Sequence, residues 1–577
     1  MARGCLCPPR PDDESDPAVC DGDGTEMHKR IGAELWCVTR RDLLHLRHEV
    51  AEAIRAGEIR PAERDQFEPS DFTTGPSLYT VNEQFIKPIT AAAGNMSWAL
   101  MRNPKGLTCD LFITHAWQEG IFELLDKVIS SWPKDVKHAW CCILANPQNL
   151  DISDLIRTPS SSPFAQALRE AKYMLVVPNR CESIYTRLWC SYEANLAYQW
   201  EKVVVTASRP RMPEFLKVLP RVLGCLASGL VLGKLWQPMS AMNIAGIIGI
   251  ANYPLPLLVT LCNNRIRHFC NLIGAFLSGY YIGVLWHLWD DGKDDFQMEE
   301  EAWSQFRIQV IITSWAFCLF YTFSEYDRIS AQVSMLEAEN LKYKGSIIDA
   351  ACTDPNDANM IRAEIGDQIH HVDEALQTLI RAGMSSPELR RAQEAGVDIR
   401  RFSDVSYAFL FFVTTKIANV TMLLSKGGRR MWGIQLVYCL AISVCGLVIR
   451  KSRVDGRAFI ANCTTKFELA LDLPAYTVGC TLWKYGTISV ETMLDIQLPV
   501  SMVCMSCVAI LGVMRIDRVA QLPFCGRFIA QVLIAKDWQS CRARRARLPK
   551  ANSVEQPTPI GRESRPDGVV PGSSDML

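Results

Sequence analysis

Neither sign of charge is in excess here: 61 lysines and arginines stand against 62 aspartates and glutamates. Without a basic surplus there is no footprint for bulk nucleic-acid binding, and nucleic acid is excluded as an expected partner. The amino terminus, MARGCLCPPRPDDESD, lacks an apolar core after its basic residue, so it does not read as a secretory signal peptide. No G-x-x-x-x-G-K-[ST], H-E-x-x-H or G-x-S-x-G occurs, which leaves phosphoryl transfer and the common hydrolase chemistries without support. The 22 cysteines offer no two C-x-x-C pairs at zinc spacing. Many, such as Cys480, Cys504 and Cys507, lie in apolar runs where a thiol acts as a small hydrophobe. Reduced thiols on the cytosolic side follow, and no metal ligands are assigned.

Long apolar runs are what the chain does have. A helix crossing a bilayer takes ~20 mostly apolar residues. Met239–Leu261, Phe269–Trp289, Phe306–Phe323, Val405–Leu424, Trp432–Ile449 and Ile496–Met514 meet that length. Val218–Trp236, with Arg221 and Lys234 near its ends, and Leu469–Tyr485, with Asp472 and Pro474, are weaker. Six to eight spans result, eight being favoured. Basic flanks such as Arg265 and Arg267, Arg450–Arg453 and Arg542–Arg545 fall on the cytosolic side, and the acidic loop Asp290–Glu301 falls outside. The loop holding Lys426, Arg429 and Arg430 dissents.

These runs divide the chain. Residues 1–32 are a disordered tail, and 33–106 a helical lead-in packed on the domain that follows. In the lead-in Leu43, Leu44, Leu46, Val50 and Ile54 share a face. Residues 107–208 form a soluble α/β domain, 214–323 a membrane region of about four spans, and 324–404 a cytosolic helical insert. Residues 405–520 hold two to four further spans, and 521–577 a basic, then disordered, tail. The insert repeats Ile361, Ile365, Ile369, Val372, Leu376, Leu379 and Ile380 at helical spacing. Such a stripe forms a hairpin, or a coiled-coil-like oligomer contact. Within it, His370 and His371 lie beside several acids and read as a solvated surface.

Leu107 to Ala207 carries the chemistry. Cys109–Thr114, Trp140–Ala145, Tyr173–Val177 and Val203–Thr206 have strand length, and the amphipathic stretches Gly120–Ser130 and Phe164–Lys172 lie between them. Apolar strands alternating with helices imply a parallel sheet covered on both faces, with ligands bound at its carboxyl ends. Those ends carry Thr114-His115-Ala116-Trp117, Asn146-Pro147-Gln148-Asn149 and Pro178-Asn179-Arg180.

Asp110-Leu111-Phe112-Ile113-Thr114-His115, followed late in the domain by Trp189-Cys190-Ser191-Tyr192-Glu193, resembles the TIR (Toll/interleukin-1 receptor-like) family. The Gly/Pro-containing loop that members carry after the second strand has no counterpart, and Asn146–Ser162 stands in its place. The resemblance implies a flavodoxin-like parallel α/β fold attached to an α-helical multi-span membrane domain. It implies self-association through the domain, NAD cleavage to nicotinamide and ADP-ribose, or both, since many members only mediate contacts. NAD enters as a substrate, and no cofactor is required.

In active members the glutamate of this helix serves catalysis, which falls here on Glu193. A carboxylate beside the ribose suits the oxocarbenium-like transition state of glycosidic cleavage. His115 and Trp117 suit stacking on, or bonding to, a base. Asn146, with Gln148 and Asn149, suits a polar rim, Arg180 and Arg187 suit phosphates, and Trp189 shares a helix face with Glu193. The competing readings are a channel or transporter gated by a nucleotide-sensing cytosolic domain, and a nucleotide sensor without turnover. The localisation expected is integral and multi-pass, with the amino terminus and α/β domain in the cytosol.

Overall fold

The computed structural model describes principally residues 23–180, 182–236, 264–290, 315–337, 343–397 and 516–534, the last three with further gaps. Strand β1 (Val38–Thr39) runs directly into helix α1 (Arg40–Ala56). The Thr39 hydroxyl accepts from the Asp42 N–H while the Asp42 carboxylate takes the Thr39 N–H, a capping box that starts the helix. Gly57, at φ 73°, ends it in the left-handed conformation that glycine tolerates best.

The order continues β2 (Leu111–Thr114), α2 (Ile121–Ser131), β3 (His138–Cys141), α3 (Pro163–Glu170), β4 (Tyr173–Val176), α4 (Leu188–Gln199) and β5 (Val203–Thr206). Strands β3-β2-β4-β5 lie side by side and parallel. Two-residue antiparallel strands close the edges: β1 against β3, and β6 (Met384–Ser385) against β5. Every residue of β2 and of β4 is buried, as a sheet covered on both faces requires.

Alternation along the strands sorts the core into two layers. Phe112, Trp140, Met174 and Val176 face one layer with α3 and α4, where Trp140 stacks on Phe112 at 5.2 Å and its indole N–H donates to the Ala33 carbonyl. Leu111, Ile113, Tyr173 and Leu175 face the other, with α1 and α2. There Leu43, Leu46, Val50 and Ile54 are buried, but Leu44 is 48% exposed. One residue along a helix turns by about 100°, so Leu44 leaves the face its neighbours share. Arg47 grips both carboxylate oxygens of Asp126, at 2.7 and 3.0 Å, and ties α1 to α2.

The insert belongs to the α/β domain. Helices α5 (Met212–Leu235) and α6 (Asn264–Asp290) precede it, and its own helices include α7 (Pro355–Ile365) and α8 (Ile369–Ala382). Ile361, Ile365, Val372, Leu376 and Leu379 are buried in the same core as Tyr185, Leu188 and Tyr192. The expected alternative of an oligomer contact is therefore corrected: the stripe covers the chain's own α4. The stripe is also interrupted, because Gly366–Gln368 form a tight turn between α7 and α8.

Among the described residues one helix, α5, is long and apolar enough to cross a membrane. It covers one of the two weaker runs, Val218–Trp236, up to Leu235, and leaves Leu223, Val231 and Leu235 exposed. α6 is continuous over the Phe269–Trp289 run. Val405–Leu424, Trp432–Ile449 and Leu469–Tyr485 lie outside the described residues, as do nearly all of Met239–Leu261 and most of Ile496–Met514.

Candidate active site at the carboxyl ends of the central strands

Strand β2 comes first among the four parallel strands yet lies between the second and third. The chain leaves it in opposite directions, and such a reversal opens a ligand crevice at the carboxyl ends of β2 and β4. Thr114 and His115 stand at the end of β2, and α4 brings Glu193 against Thr114 and Cys190 against His115. Glu193 is only 5% exposed. Burial pushes its carboxyl up to about 8, against the smaller opposing pull of the Thr114 hydroxyl and the Arg187 charge. It therefore carries its proton at neutral pH.

His115 is the complementary case. Burial holds its imidazole down to about 4, opposed by the Ala116 backbone and reinforced by Arg187, so the ring is neutral. Its Nε2 lies 3.1 Å from the Cys142 thiol, and its carbonyl receives the Cys190 thiol at 3.5 Å. Burial lifts Cys141 and Cys190 to about 12 and raises Cys142 as well, so these thiols are protonated and poor nucleophiles. Asn146 is buried beside Cys142, and among the described residues its Oδ1 has no hydrogen-bond partner.

Arg187 closes the site from above. Its guanidinium donates to the Tyr79 hydroxyl oxygen at 3.3 Å, to Gln118 Oε1 at 3.1 Å and to Thr353 Oγ1 at 3.4 Å. One side chain thus joins the lead-in, the β2–α2 loop and the insert. The insert strap is fastened through backbone too: the Ala351 N–H donates to the Thr186 carbonyl at 2.7 Å, and the Leu188 N–H to the Ala351 carbonyl at 2.9 Å.

The remaining expected residues are distributed. Trp117 is half-buried against the Tyr79 ring at 5.4 Å. Trp189 is engaged elsewhere, stacked on Phe164 at 4.8 Å with its indole N–H donating to Asp357 at 2.9 Å. The Gln148 amide folds back on the carbonyls of Ile143 and Asn146, and the Asn149 amide braces Lys87 and Thr90 of the lead-in. Arg180 belongs to a second cluster, bound to Glu123 at 2.7 Å. His370, His371 and Glu374 converge to within 4.8 Å on α8, all exposed. That solvated placement is the one the sequence leads one to expect for the two histidines.

Sequence reading missed that second cluster. Its centre, Lys127, is completely buried, 3.0 Å from Glu123 and 3.3 Å from Glu337, with Glu119 at 3.7 Å. The four-residue spacing of Glu119, Glu123 and Lys127 was the available signal, but it has the look of an ordinary solvated helix face. Comparison of the chain with family models, curated proteins and solved structures found no match.

Proposed function

We propose that this chain is a membrane-tethered signalling protein whose TIR-like cytosolic domain cleaves NAD between nicotinamide and ribose, with Glu193 as the catalytic carboxyl. The observation that carries this reading is the placement of Glu193, buried at the sheet's switch point against Thr114 and within the field of Arg187. In the closed arrangement the carboxyl is neutral. Admission of a pyridinium dinucleotide and water brings a positive charge beside it and lowers its pKa, so that the carboxylate forms where the ribose develops oxocarbenium character. Water then completes the cleavage to ADP-ribose, releasing nicotinamide and a proton. Asn146 Oδ1, unpartnered among the described residues and next to Cys142, supplies a hydrogen-bond acceptor near the carboxyl end of β3.

Attachment to a bilayer supports the signalling half of the reading. The exposed apolar side chains of α5 and α6 suit lipid contact. Confinement to a membrane raises the local concentration of the cytosolic domain, which favours weak self-association. The multi-pass topology, with the domain and the amino terminus cytosolic, is part of this proposal.

The test uses the full-length chain in lipid nanodiscs, incubated with NAD and assayed for nicotinamide by chromatography. Release that Glu193→Gln and Glu193→Ala both abolish, with melting transitions kept, supports the reading. No release from the native chain between about pH 6 and pH 9, even at high density in the disc, refutes catalysis.

A further inference from the structure

Lys127, at 0% side-chain exposure, sits where three parts of the chain meet. Its ammonium donates to the Pro178 carbonyl just beyond β4, and it pairs with Glu123 on its own helix and with Glu337, itself helical and following the helical residues 317–330 in the chain. Arg209, which precedes α5 by three residues, bonds Glu123 at 3.1 Å and Glu337 at 3.3 Å. Arg209 at the entry to the apolar helices and Glu337 therefore belong to one ion cluster, Glu337 pairing with the Lys127 ammonium and Arg209 with the two carboxylates that flank it.

The same cluster reaches the candidate site by a short path. Glu119 lies in the loop that begins at His115, so four peptide bonds separate a residue beside Lys127 from one whose carbonyl takes the Cys190 thiol of the helix carrying Glu193. Pro178 and Asn179 continue from β4 at the other wall of the crevice. A charge cluster buried in this way is costly to split, because each partner left behind is an uncompensated charge out of water. It therefore holds one arrangement until the helices pull it apart.

We propose that the Lys127 cluster is a joint through which the apolar helices hold the Glu193 site shut. Displacement of Glu337 and Arg209 with those helices releases Lys127, frees Glu119 and lets the His115–Glu119 loop lift from Glu193. The joint regulates whichever chemistry the site performs, so it stands independently of NAD cleavage.

The test reads burial rather than turnover. The full-length chain in nanodiscs is labelled with N-ethylmaleimide under native conditions, and each cysteine is quantified by peptide mass spectrometry. Cys141 and Cys190 report on the site, while Cys37 and Cys109, equally buried away from the crevice, serve as references. Glu337→Gln and the milder Arg209→Gln, whose side chain is half-exposed, open the joint. Lys217→Gln breaks an exposed pair with Glu214 elsewhere. Labelling of Cys141 and Cys190 is expected to rise about tenfold in both joint variants, with the references and Lys217→Gln unchanged. Native-rate labelling of Cys141 and Cys190 in both joint variants overturns the proposal. An equal rise at Cys37 and Cys109, or the same rise in Lys217→Gln, overturns it as well.

Discussion

The Tyr192 hydroxyl donates to Glu364 Oε1 at 2.7 Å, so the residue adjacent to Glu193 is tethered to the insert helix α7. The second oxygen of Glu364 accepts from the Ser160 N–H at 3.2 Å. One carboxylate thereby ties the helix that carries the candidate acid, the loop before α3 and the insert together. A hydrogen bond to a charged but solvent-exposed acceptor contributes about 1 kcal/mol. Tyr192→Phe should lower stability by that order and loosen the insert without unfolding the sheet. Hydrogen exchange reads this directly: amides of Ile347–Thr353 should exchange faster while those of β2 and β4 keep their protection. Unchanged exchange over the strap would show that Arg187 and the Ala351 backbone bonds hold it alone.

The site's two buried titratable groups give opposite pH slopes. Glu193, raised from an ordinary 4.5 to about 8, contributes stability that is complete below about 4.5 and is lost as pH rises through about 8. His115, lowered from 6.5 to about 4, contributes stability that is complete above 6.5 and is lost as pH falls through about 4. Where the windows overlap, the slopes oppose. Above that overlap only Glu193 of the pair titrates, so the native chain should lose on the order of 2 kcal/mol between about pH 6.5 and pH 8. Glu119, also raised by burial, adds a slope of the same sign, so the informative quantity is the difference from Glu193→Gln. The variant's melting temperature should fall less steeply over that interval. Parallel curves would mean that Glu193 is already ionised in the folded protein.

Which features were readable in the sequence follows from what periodicity encodes. Three of the four parallel strands lie inside the apolar runs read from the sequence, whose length is itself the signal of a covered sheet. Strand β3 shares only Trp140 and Cys141 with the run Trp140–Ala145, because Cys142–Ala145 turn into a short helix. The edges β1 and β6 are two residues long, too short for any pattern, and neighbouring strands impose them. Periodicity located the stripe Ile361–Ile380 but not the surface it covers, because an apolar face reports only that water is excluded. Lys127 was invisible for a related reason. Nothing in a local window shows that Glu337 and Arg209 arrive from more than 80 residues away to neutralise a buried ammonium. Glu193 was found because the residues around it resemble a known pattern, and its burial could only come from the packing of α4.

The crossing of α5 and α6 gives the sharpest test of the apolar region. Gly229 and Gly233 on one helix meet Gly279 and Gly283 on the other, each pair at a spacing of four. A methyl group at Gly279 would sit 2.0 Å from the Leu226 carbonyl oxygen, and one at Gly229 would sit 2.1 Å from that of Phe276. Both obstacles are backbone, so no rotamer change relieves them. In lipid, where apolar side chains gain nothing by leaving the solvent, such close backbone approach is what holds helices together. Gly279→Leu should force the helices apart and destabilise the chain in nanodiscs by roughly 2–3 kcal/mol, the scale of overpacking a close contact. Gly224 lies on the same α5 with nothing among the described residues within 4 Å of its added methyl. Gly224→Leu should be neutral, or stabilising by about 0.8 kcal/mol through helix propensity. Melting temperatures of the two variants separate the contact from the residue type, and equal effects would show that the glycines are not an interface.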